Sequence, residues 1–439
     1  MKLHGVLAGF LAAWMLGTPA LAAPAPPVRF QLSNGLQVYL MVDRKAPVVA
    51  VQVWYGVGSR DERPGMTGAS HLLEHMMFQG SSRFGPGEFD RQLVSRGGQN
   101  NAFTTTDFTA YHEVLASEHL ETALALEADR MKGALLPAEK LLAEREVVKE
   151  ELRGSSDSAL GMAWDYLPAA MWLANGYHWP VGGWPGDLDA ISRADLLAYY
   201  RTYYQPNNAT LVVVGDLDPQ RALRSIRRVF DKLAPGPTPP RRYTREPSHR
   251  GERRIEVIRP VQAPVVLTAF RLPGAGHRDI DAARLLALVL GEGRSARLQA
   301  ALVGARKPLR ELEVGVDEAR EGGFLYFALA PGPGHSPLDA ERALERELAV
   351  FKRFGATREE LNRARRQAET RHLLAIETVE GRAEDIGRRV LLTGTAQRTD
   401  FTARLRGITE TQLRALAGRY FSRANRATVT VRPVDREDL

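Results

Sequence analysis

The chain contains no cysteine among its 439 residues. Disulfide bonds and thiolate metal ligands are therefore both excluded, and any metal must be held by His, Asp or Glu side chains. Long apolar runs are scarce as well. The run at residues 6–16 is too short to cross a bilayer as a helix, and no other run approaches a spanning length. The sequence accordingly predicts no stable membrane span.

The residues around this apolar run are typical of a signal peptide. Lys2 supplies a positive charge before the run, and Ala20-Leu21-Ala22 offers a small-x-small cleavage pattern after it. A proline-rich segment follows at residues 23–27. The alternative is a membrane anchor, for which the run is short. We expect residues 1–22 to be removed on export, and the mature chain to be periplasmic.

A net charge of +7 raises the question of nucleic-acid binding. The Arg and Lys residues are spread along the chain, apart from one dense stretch at residues 241–254. That stretch follows a run of prolines, so we expect an exposed linker there rather than a binding surface. The sequence therefore predicts no nucleic-acid partner.

A break in composition divides the chain into two parts of similar size. The segment at residues 233–247 has prolines at positions 235, 237, 239, 240 and 247, which exclude a regular helix or a central strand. Because the chain is longer than one hydrophobic core usually organises, two domains are expected. We predict a first domain at 27–233, a linker at 234–247 and a second domain at 248–436.

Two short repeats indicate that the halves are related. The sequence APVV at 46–49 recurs at 263–266. The sequence NNAT at 207–210 recurs as NRAT at 425–428. The offsets of the two repeats differ by a single position, and two matches at nearly the same offset favour a duplication.

Hydrophobic spacing predicts strands and helices in each half. Strands are expected at 52–56 and 210–215, and helices at 118–133, 137–153 and 193–204. Ser192 followed by Asp195 is a capping pattern for the last of these helices. The predicted fold class is α+β: two homologous domains, each a mainly antiparallel sheet backed by helices, joined by a Pro/Arg-rich linker.

The strongest local signal for chemistry is His71-Leu72-Leu73-Glu74-His75. Successive residues of an α-helix are about 100° apart, so His71 and His75 lie about 40° apart on one face. Both imidazoles can then bind one metal ion. Glu74 lies beside that ion, where it can accept a proton from an attacking water. A helix that carries these residues by chance is the alternative.

A pair of glutamates further along the chain offers a third ligand. Glu144 and Glu151 are one heptad apart and share one face of the predicted helix. One carboxylate can then bind the ion while the other supports a ligand from behind. Glu150 is the rival ligand, although it points about 100° away from Glu151. The charge pattern by itself favours a solvated helix surface, because basic residues share this helix.

Taken together, these residues resemble the pitrilysin or insulysin family of zinc peptidases, the inverzincins, which includes the mitochondrial processing peptidase. The family's motif is His-x-x-Glu-His followed about 75 residues later by a glutamate ligand. Glu151 follows His75 at that spacing. Further similar stretches are 56–74, 101–104 and 204–216, so the resemblance covers nearly the whole mature chain.

The resemblance implies a zinc endopeptidase that hydrolyses peptides or unfolded segments. By this resemblance His71, His75 and Glu151 hold one Zn²⁺ per chain, Glu74 is the general base, and Glu144 is the additional acidic residue. Two His and one carboxylate leave one coordination position open, which is the arrangement of catalytic zinc sites.

The resemblance also implies a place for the substrate. Asn101, Ala102 and Phe103 are expected on an edge strand to which substrate backbone adds as a further strand. This mode of binding takes its affinity from main-chain hydrogen bonds and demands little of the substrate's sequence. An ordinary strand is the alternative for these three residues.

The second half departs from the family's pattern. At the offset of the APVV repeat, the positions that correspond to His71, Glu74 and His75 are occupied by Leu288, Gly291 and Glu292. No metal site is therefore expected in this half. Complete family members carry an Arg and a Tyr one heptad apart in the second half. Here the aligned positions are Val303 and Arg310.

The absence of the Arg/Tyr pair bears on whether the chain acts alone or with a partner. In the family, chains of this length often act in pairs, with one subunit supplying the zinc motif and the other the Arg/Tyr pair. We therefore expect the zinc-carrying subunit of a heterodimer whose partner is a homologous chain. A non-catalytic scaffold or assembly subunit of the same fold is the alternative. The absent Arg/Tyr pair favours it, and the intact ligand set opposes it.

Overall fold

The computed structural model of the chain describes residues 26–240, 244–396 and 400–434. The expected signal peptide at 1–22 lies outside the described residues, as do Arg241 and Arg242. Within the described ranges, no helix combines the length and the apolar character needed to cross a bilayer.

Apart from the first strand and the last helix of the first half, which have no counterpart in the second half, the elements of the two halves follow one another in the same order. In the first half they are β1 (Val28–Gln31), β2 (Gln37–Val42), β3 (Val48–Tyr55), α1 (Ala69–Met76), α2 (Glu88–Val94), β4 (Gln99–Thr104), β5 (Thr109–Ala116), α3 (Leu120–Gly133), α4 (Ala138–Ser156), α5 (Ala159–Met171), α6 (Pro185–Ala190), α7 (Arg193–Tyr203), β6 (Ala209–Gly215) and α8 (Pro219–Phe230). In the second half they are β7 (Arg253–Ile258), β8 (Val265–Pro273), α9 (Ile280–Gly291), α10 (Arg297–Leu302), β9 (Leu309–Glu318), β10 (Gly322–Pro331), α11 (Pro337–Phe354), α12 (Arg358–Ala375), α13 (Val379–Thr393), α14 (Phe401–Arg406), α15 (Glu410–Tyr420) and β11 (Arg426–Arg432).

Each half forms one sheet, and the two sheets share a topology apart from β1, which is an additional edge strand of the first. The strand order is β1-β2-β6-β3-β5-β4 in the first sheet and β7-β11-β8-β10-β9 in the second. One pair in each sheet is parallel, β2 with β6 and β7 with β11, and the other pairs are antiparallel. The α+β prediction of two mainly antiparallel sheets is confirmed. The matching strand orders also support the duplication that the repeats indicate.

The ends of the predicted helices in the first half follow from local chemistry. Ser192 accepts a hydrogen bond from the backbone N–H of Asp195, and the Asp195 carboxylate accepts one from the N–H of Ser192, so α7 begins as its sequence predicts. Pro137 is the residue that caps α4 rather than its first helical residue. The helix expected at 118–133 begins later, at Leu120, because Ser117–His119 form a 3₁₀ turn.

The expectation of an exposed linker is wrong for the end of the basic stretch. Arg253 and Arg254 belong to β7, and Arg254 forms an ion pair with the buried carboxylate of Glu341. The preceding segment is also held in place. The buried Glu246 carboxylate accepts hydrogen bonds of 2.8–3.0 Å from the backbone N–H groups of residues 173–175. Part of the basic stretch is thus structural rather than solvated linker.

Each half contributes one helix that packs on the sheet of the other half. Helix α5 of the first half packs on β7, β8 and β11 of the second sheet, and α13 of the second half packs on β3 and β6 of the first. In β6, Leu211 and Val213 face the helices of their own half, whereas Val212 and Val214 face α13. The uniformly apolar sequence of this strand follows, because both of its faces are buried.

The contact of α13 with the first sheet depends on a glycine. A Cβ atom at Gly387 would overlap the indole ring of Trp54, which is fully buried on β3. Gly387→Ala is therefore expected to lower the free energy of unfolding by about 1–3 kcal/mol, since overpacking forces neighbours to shift. Gly418→Ala is the matched control, because Gly418 is an exposed helical glycine with open space around it. That variant should gain roughly 0.5–1 kcal/mol. Urea unfolding of both variants measures the difference, and equal midpoints would contradict this packing argument.

Candidate metal centre

Helix α1 presents two imidazoles on one face. Leu72, Leu73 and Met76 are fully buried and fix the opposite side of the helix in the core of the first half. His71 and His75 are half-buried on the remaining side, with ring centroids 4.9 Å apart. The helical spacing therefore places both imidazoles on one face of α1, as the sequence predicts.

A carboxylate from outside the helix caps the start of α1. The buried Glu62 accepts hydrogen bonds from the backbone N–H groups of Gly68 (2.8 Å) and Ser70 (2.7 Å). These are donors that a helix N-terminus leaves without intrahelical partners. Burial is the main cause that raises the pKa of Glu62 to about 8. Sequence reasoning missed this residue, although an acidic residue shortly before a helix with Gly at its N-cap is a signal that can be searched for.

Helix α4 brings a carboxylate to the two histidines. One Glu151 oxygen, Oε2, lies 3.6 Å from the Nε2 atom of His71 and 3.6 Å from the Nε2 atom of His75. All three ligand atoms lie within 4.8 Å of one another. Two ligands about 2.1 Å from a tetrahedral ion are separated by roughly 3.4 Å, so the donor set fits one zinc ion.

The state of His71 also fits a metal ligand. Burial, together with the neighbouring His75, lowers the pKa of His71 to about 4. A neutral imidazole with a lone pair is the form that binds metal. The other ring nitrogen, Nδ1, is buried and has no hydrogen-bond partner among the described residues. Glu151 is 52% exposed, so the site is open to solvent on the side of α4.

The two other glutamates of α4 have different positions. Glu144 lies behind His75, with its Oε2 atom 3.2 Å from His75 Nδ1, and its Oε1 atom accepts a 2.8 Å hydrogen bond from Gln79. A carboxylate at this position orients the imidazole and fixes which nitrogen faces the ion. Glu150 is directed away from the site and pairs with Arg153 at 2.5 Å. Of the two candidate third ligands, the structure brings only Glu151 to the histidines.

Glu74 lies beside the cluster and is held by a threonine. Its Oε2 atom accepts a 2.5 Å hydrogen bond from the Thr104 hydroxyl, which is on β4. Burial raises the pKa of Glu74 above its ordinary value, and the bond from Thr104 opposes that shift. Sequence reasoning missed this contact, because Thr104 is distant from Glu74 along the chain and belongs to a different element.

Strand β4 carries the residues expected to meet a substrate. It lies at one edge of the first sheet and pairs only with β5, so its other side is a free edge in the described part of the chain. Asn101 is exposed and accepts the N–H of Ala102 through its side chain. The ring of Phe103 packs edge-on against Trp54 at 5.5 Å, so it contributes to the core beneath α13. The unpaired side of the strand is where the backbone of an extended peptide could be added, although the N–H of Ala102 is bonded to Asn101 in this structure.

The turn after β4 is fixed by contacts with both halves. Asp107 is buried and accepts hydrogen bonds from Arg60 (2.6 Å) and from the Tyr177 hydroxyl (2.7 Å). Its second oxygen accepts the backbone N–H of Arg320, in the second half, at 2.7 Å. Arg60 also pairs with Glu321 at 2.7 Å. The buried Arg60–Asp107 ion pair therefore ties the end of the edge strand to the second half, through the backbone of Arg320 and the exposed Glu321 carboxylate.

Two family descriptions match adjoining parts of the chain. "Insulinase (Peptidase family M16)" matches residues 37–182, and "Peptidase M16 inactive domain" matches residues 190–368. The chain belongs to peptidase family M16. The expected membership of the pitrilysin or insulysin family is thereby confirmed.

Relatives in family M16 match along most of their length. The zinc protease PqqE of Helicobacter pylori is 29% identical over 415 residues, 92% of each chain. A probable mitochondrial-processing peptidase subunit beta of Arabidopsis thaliana is 24% identical over 419 residues, 92% of this chain and 78% of that one. The crystal structure of a protease from Helicobacter pylori superposes with a TM-score of 0.89 at 27% identity, covering 94% of this chain and all of that one.

The second half has a cleft where the first half has its histidines. A cavity of about 440 Å³ is lined by residues of α9, β9, α12, α13 and α14, of which the first three elements are the counterparts of α1, β4 and α4. Leu288 and Ala368 line it at the positions that correspond to His71 and Glu151. Neither side chain can bind a metal ion. The description of the inactive M16 domain spans residues 190–368, which include α9, β9 and part of α12.

Proposed function

We propose that the chain is a zinc metalloendopeptidase that hydrolyses peptides or unfolded segments. One Zn²⁺ per chain is held by His71, His75 and Glu151. The convergence of three potential ligand atoms within 4.8 Å, beside the buried Glu74 carboxylate, is the observation that carries this proposal. Zinc protease names among the relatives support the choice of metal and of reaction class.

Each residue of the site has a separate role in the proposed hydrolysis. Bound zinc polarises the scissile carbonyl and lowers the pKa of water. Glu74 takes a proton from the attacking water on its carboxylate and passes it to the leaving amine. Glu144 orients His75 through Nδ1. Asn101, Ala102 and Phe103 offer the free backbone edge of β4, on which the substrate lies as an added strand.

The proposal extends to the organisation of the protein. The mature chain, after loss of residues 1–22, works in the periplasm as two domains at 27–233 and 248–436. It acts as the zinc-carrying subunit of a heterodimer, and a homologous chain supplies the Arg/Tyr pair. The absence of that pair at Val303 and Arg310 supports this arrangement.

Cleavage of an unstructured peptide by the mature chain tests the proposal. We expect about one zinc per chain, cleavage that is lost on chelation and restored by zinc, and a large gain when an Arg/Tyr-bearing homologue is added. Equal rates with and without the homologue would overturn the heterodimer and leave the peptidase intact. Bound zinc without cleavage in any mixture would instead favour a non-catalytic scaffold.

A further inference from the structure

We propose that Thr104 is a positioning residue for Glu74, fixing the orientation in which that carboxylate accepts the proton of the attacking water. The inference rests on the proposed role of Glu74 as general base. Thr104 is the last residue of β4, so the same strand that offers its edge to the substrate also holds the base.

The hydroxyl of Thr104 is directed at one oxygen of the carboxylate. The hydrogen bond from Thr104 Oγ1 to Glu74 Oε2 is 2.5 Å long. Among the described residues no other side chain or backbone group hydrogen-bonds to this carboxylate, so Oε1 remains the oxygen that can accept from water. Charge-assisted bonds of this kind are short and strong. The bond therefore gives the two oxygens different roles.

The position of Thr104 is itself fixed from two sides. Thr109 is its partner across the β4–β5 pairing, with the two hydroxyl oxygens 3.4 Å apart, and Thr109 donates to the carbonyl of Val57 at 3.1 Å. The turn that joins the two threonines contains Asp107, which is held by Arg60 and by the backbone of the second half. A hydroxyl on a strand end anchored in this way can orient a carboxylate within a fraction of an ångström.

This arrangement gives the metal-free half an indirect part in the chemistry. The backbone N–H of Arg320 holds Asp107, Asp107 fixes the turn, and the turn sets the place of Thr104. A small displacement of a reacting group from its productive geometry is costly in rate. The second half thus contributes to the alignment of Glu74 without touching the substrate at that point.

Three variants separate this role from a general structural one. Thr104→Val keeps the shape of the side chain and removes the hydroxyl, whereas Thr104→Ser keeps the hydroxyl. Thr106→Val makes the same chemical change two residues further along the chain. The hydroxyl of Thr106 forms no hydrogen bond with the described residues. The readouts are kcat and KM for an unstructured peptide, bound zinc and the thermal midpoint, with Glu74→Gln assayed in parallel. The heterodimeric form is used if cleavage requires it.

We expect Thr104→Val to lower kcat by roughly 10- to 100-fold with KM and bound zinc unchanged, as the loss of one hydrogen bond to a charged group predicts. Thr104→Ser should stay within a few-fold of the parent rate, and Thr106→Val should equal it. Parent-like kcat in Thr104→Val, while Glu74→Gln is inactive, would overturn the role of Thr104 alone. If Glu74→Gln also kept full activity, the proposed function itself would fail.

Discussion

Glu74→Gln should abolish peptide cleavage and leave bound zinc in place. The amide has the shape of the carboxylate, and its oxygen can still accept the hydrogen bond from Thr104, so the local structure is expected to persist. The amide cannot take a proton from water, and general-base catalysis contributes about 10²- to 10⁴-fold to such rates. Cleavage of an unstructured peptide, together with zinc content from elemental analysis, measures both expectations.

The zinc content of this variant distinguishes a general base from a metal ligand. Glu74 is adjacent to a candidate ligand in sequence, but its carboxylate is bound to Thr104 and lies outside the group of three ligand atoms. A loss of activity that accompanied a loss of zinc would make Glu74 a ligand rather than a base. Undiminished cleavage with zinc bound would remove Glu74 from the chemistry altogether.

The parts of the site that sequence reasoning could predict depend on short-range periodicity. His71 and His75 lie on one face of α1 because about four residues make one helical turn. Glu144 and Glu151 share a face of α4 for the same reason, and the resemblance to a family linked that helix to the histidines. The preference for Glu151 over Glu150 comes from its heptad spacing to Glu144, and in the structure the Glu150 carboxylate pairs with Arg153.

The supporting contacts could not be predicted, because each one depends on how distant segments meet. Thr104 reaches Glu74 only through the register of β4 with β5 and the place of α1 above that edge. Glu62 caps α1 across a loop whose path no periodicity describes. Asp107 joins residues of both halves, and the contact with Arg320 spans 213 positions.

The fold shows the same division between local and long-range information. Apolar spacing predicts a helix wherever one face is buried, and the expected strands and helices of the first half are present. Spacing does not tell which sheet a helix covers. The packing of α5 on the second sheet and of α13 on the first therefore had no sequence signal. The uniformly apolar sequence of β6 indicates that its sheet is covered on both faces, but it does not indicate which helix covers each face.

Replacing the proposed third ligand is expected to weaken zinc binding, and the chain offers a close control for it. Glu151→Gln keeps the size of the side chain but takes the negative charge from the oxygen that lies 3.6 Å from both histidines. We expect zinc affinity to fall by more than the roughly 10- to 100-fold that loss of a supporting partner typically costs. Cleavage should fall with zinc occupancy. Competition with a chelator of known affinity measures the change.

Glu150→Gln makes the identical substitution at the preceding position of the same helix. The Glu150 carboxylate is 73% exposed and its partner is Arg153, an ion pair of the kind that contributes little to stability. Zinc affinity and cleavage should therefore equal those of the parent chain. Equal losses in both variants would mean that the charge of α4 as a whole attracts the metal. A loss confined to Glu151→Gln would instead require a direct bond from that one carboxylate, because the two positions share the helix, the charge and the chemical change.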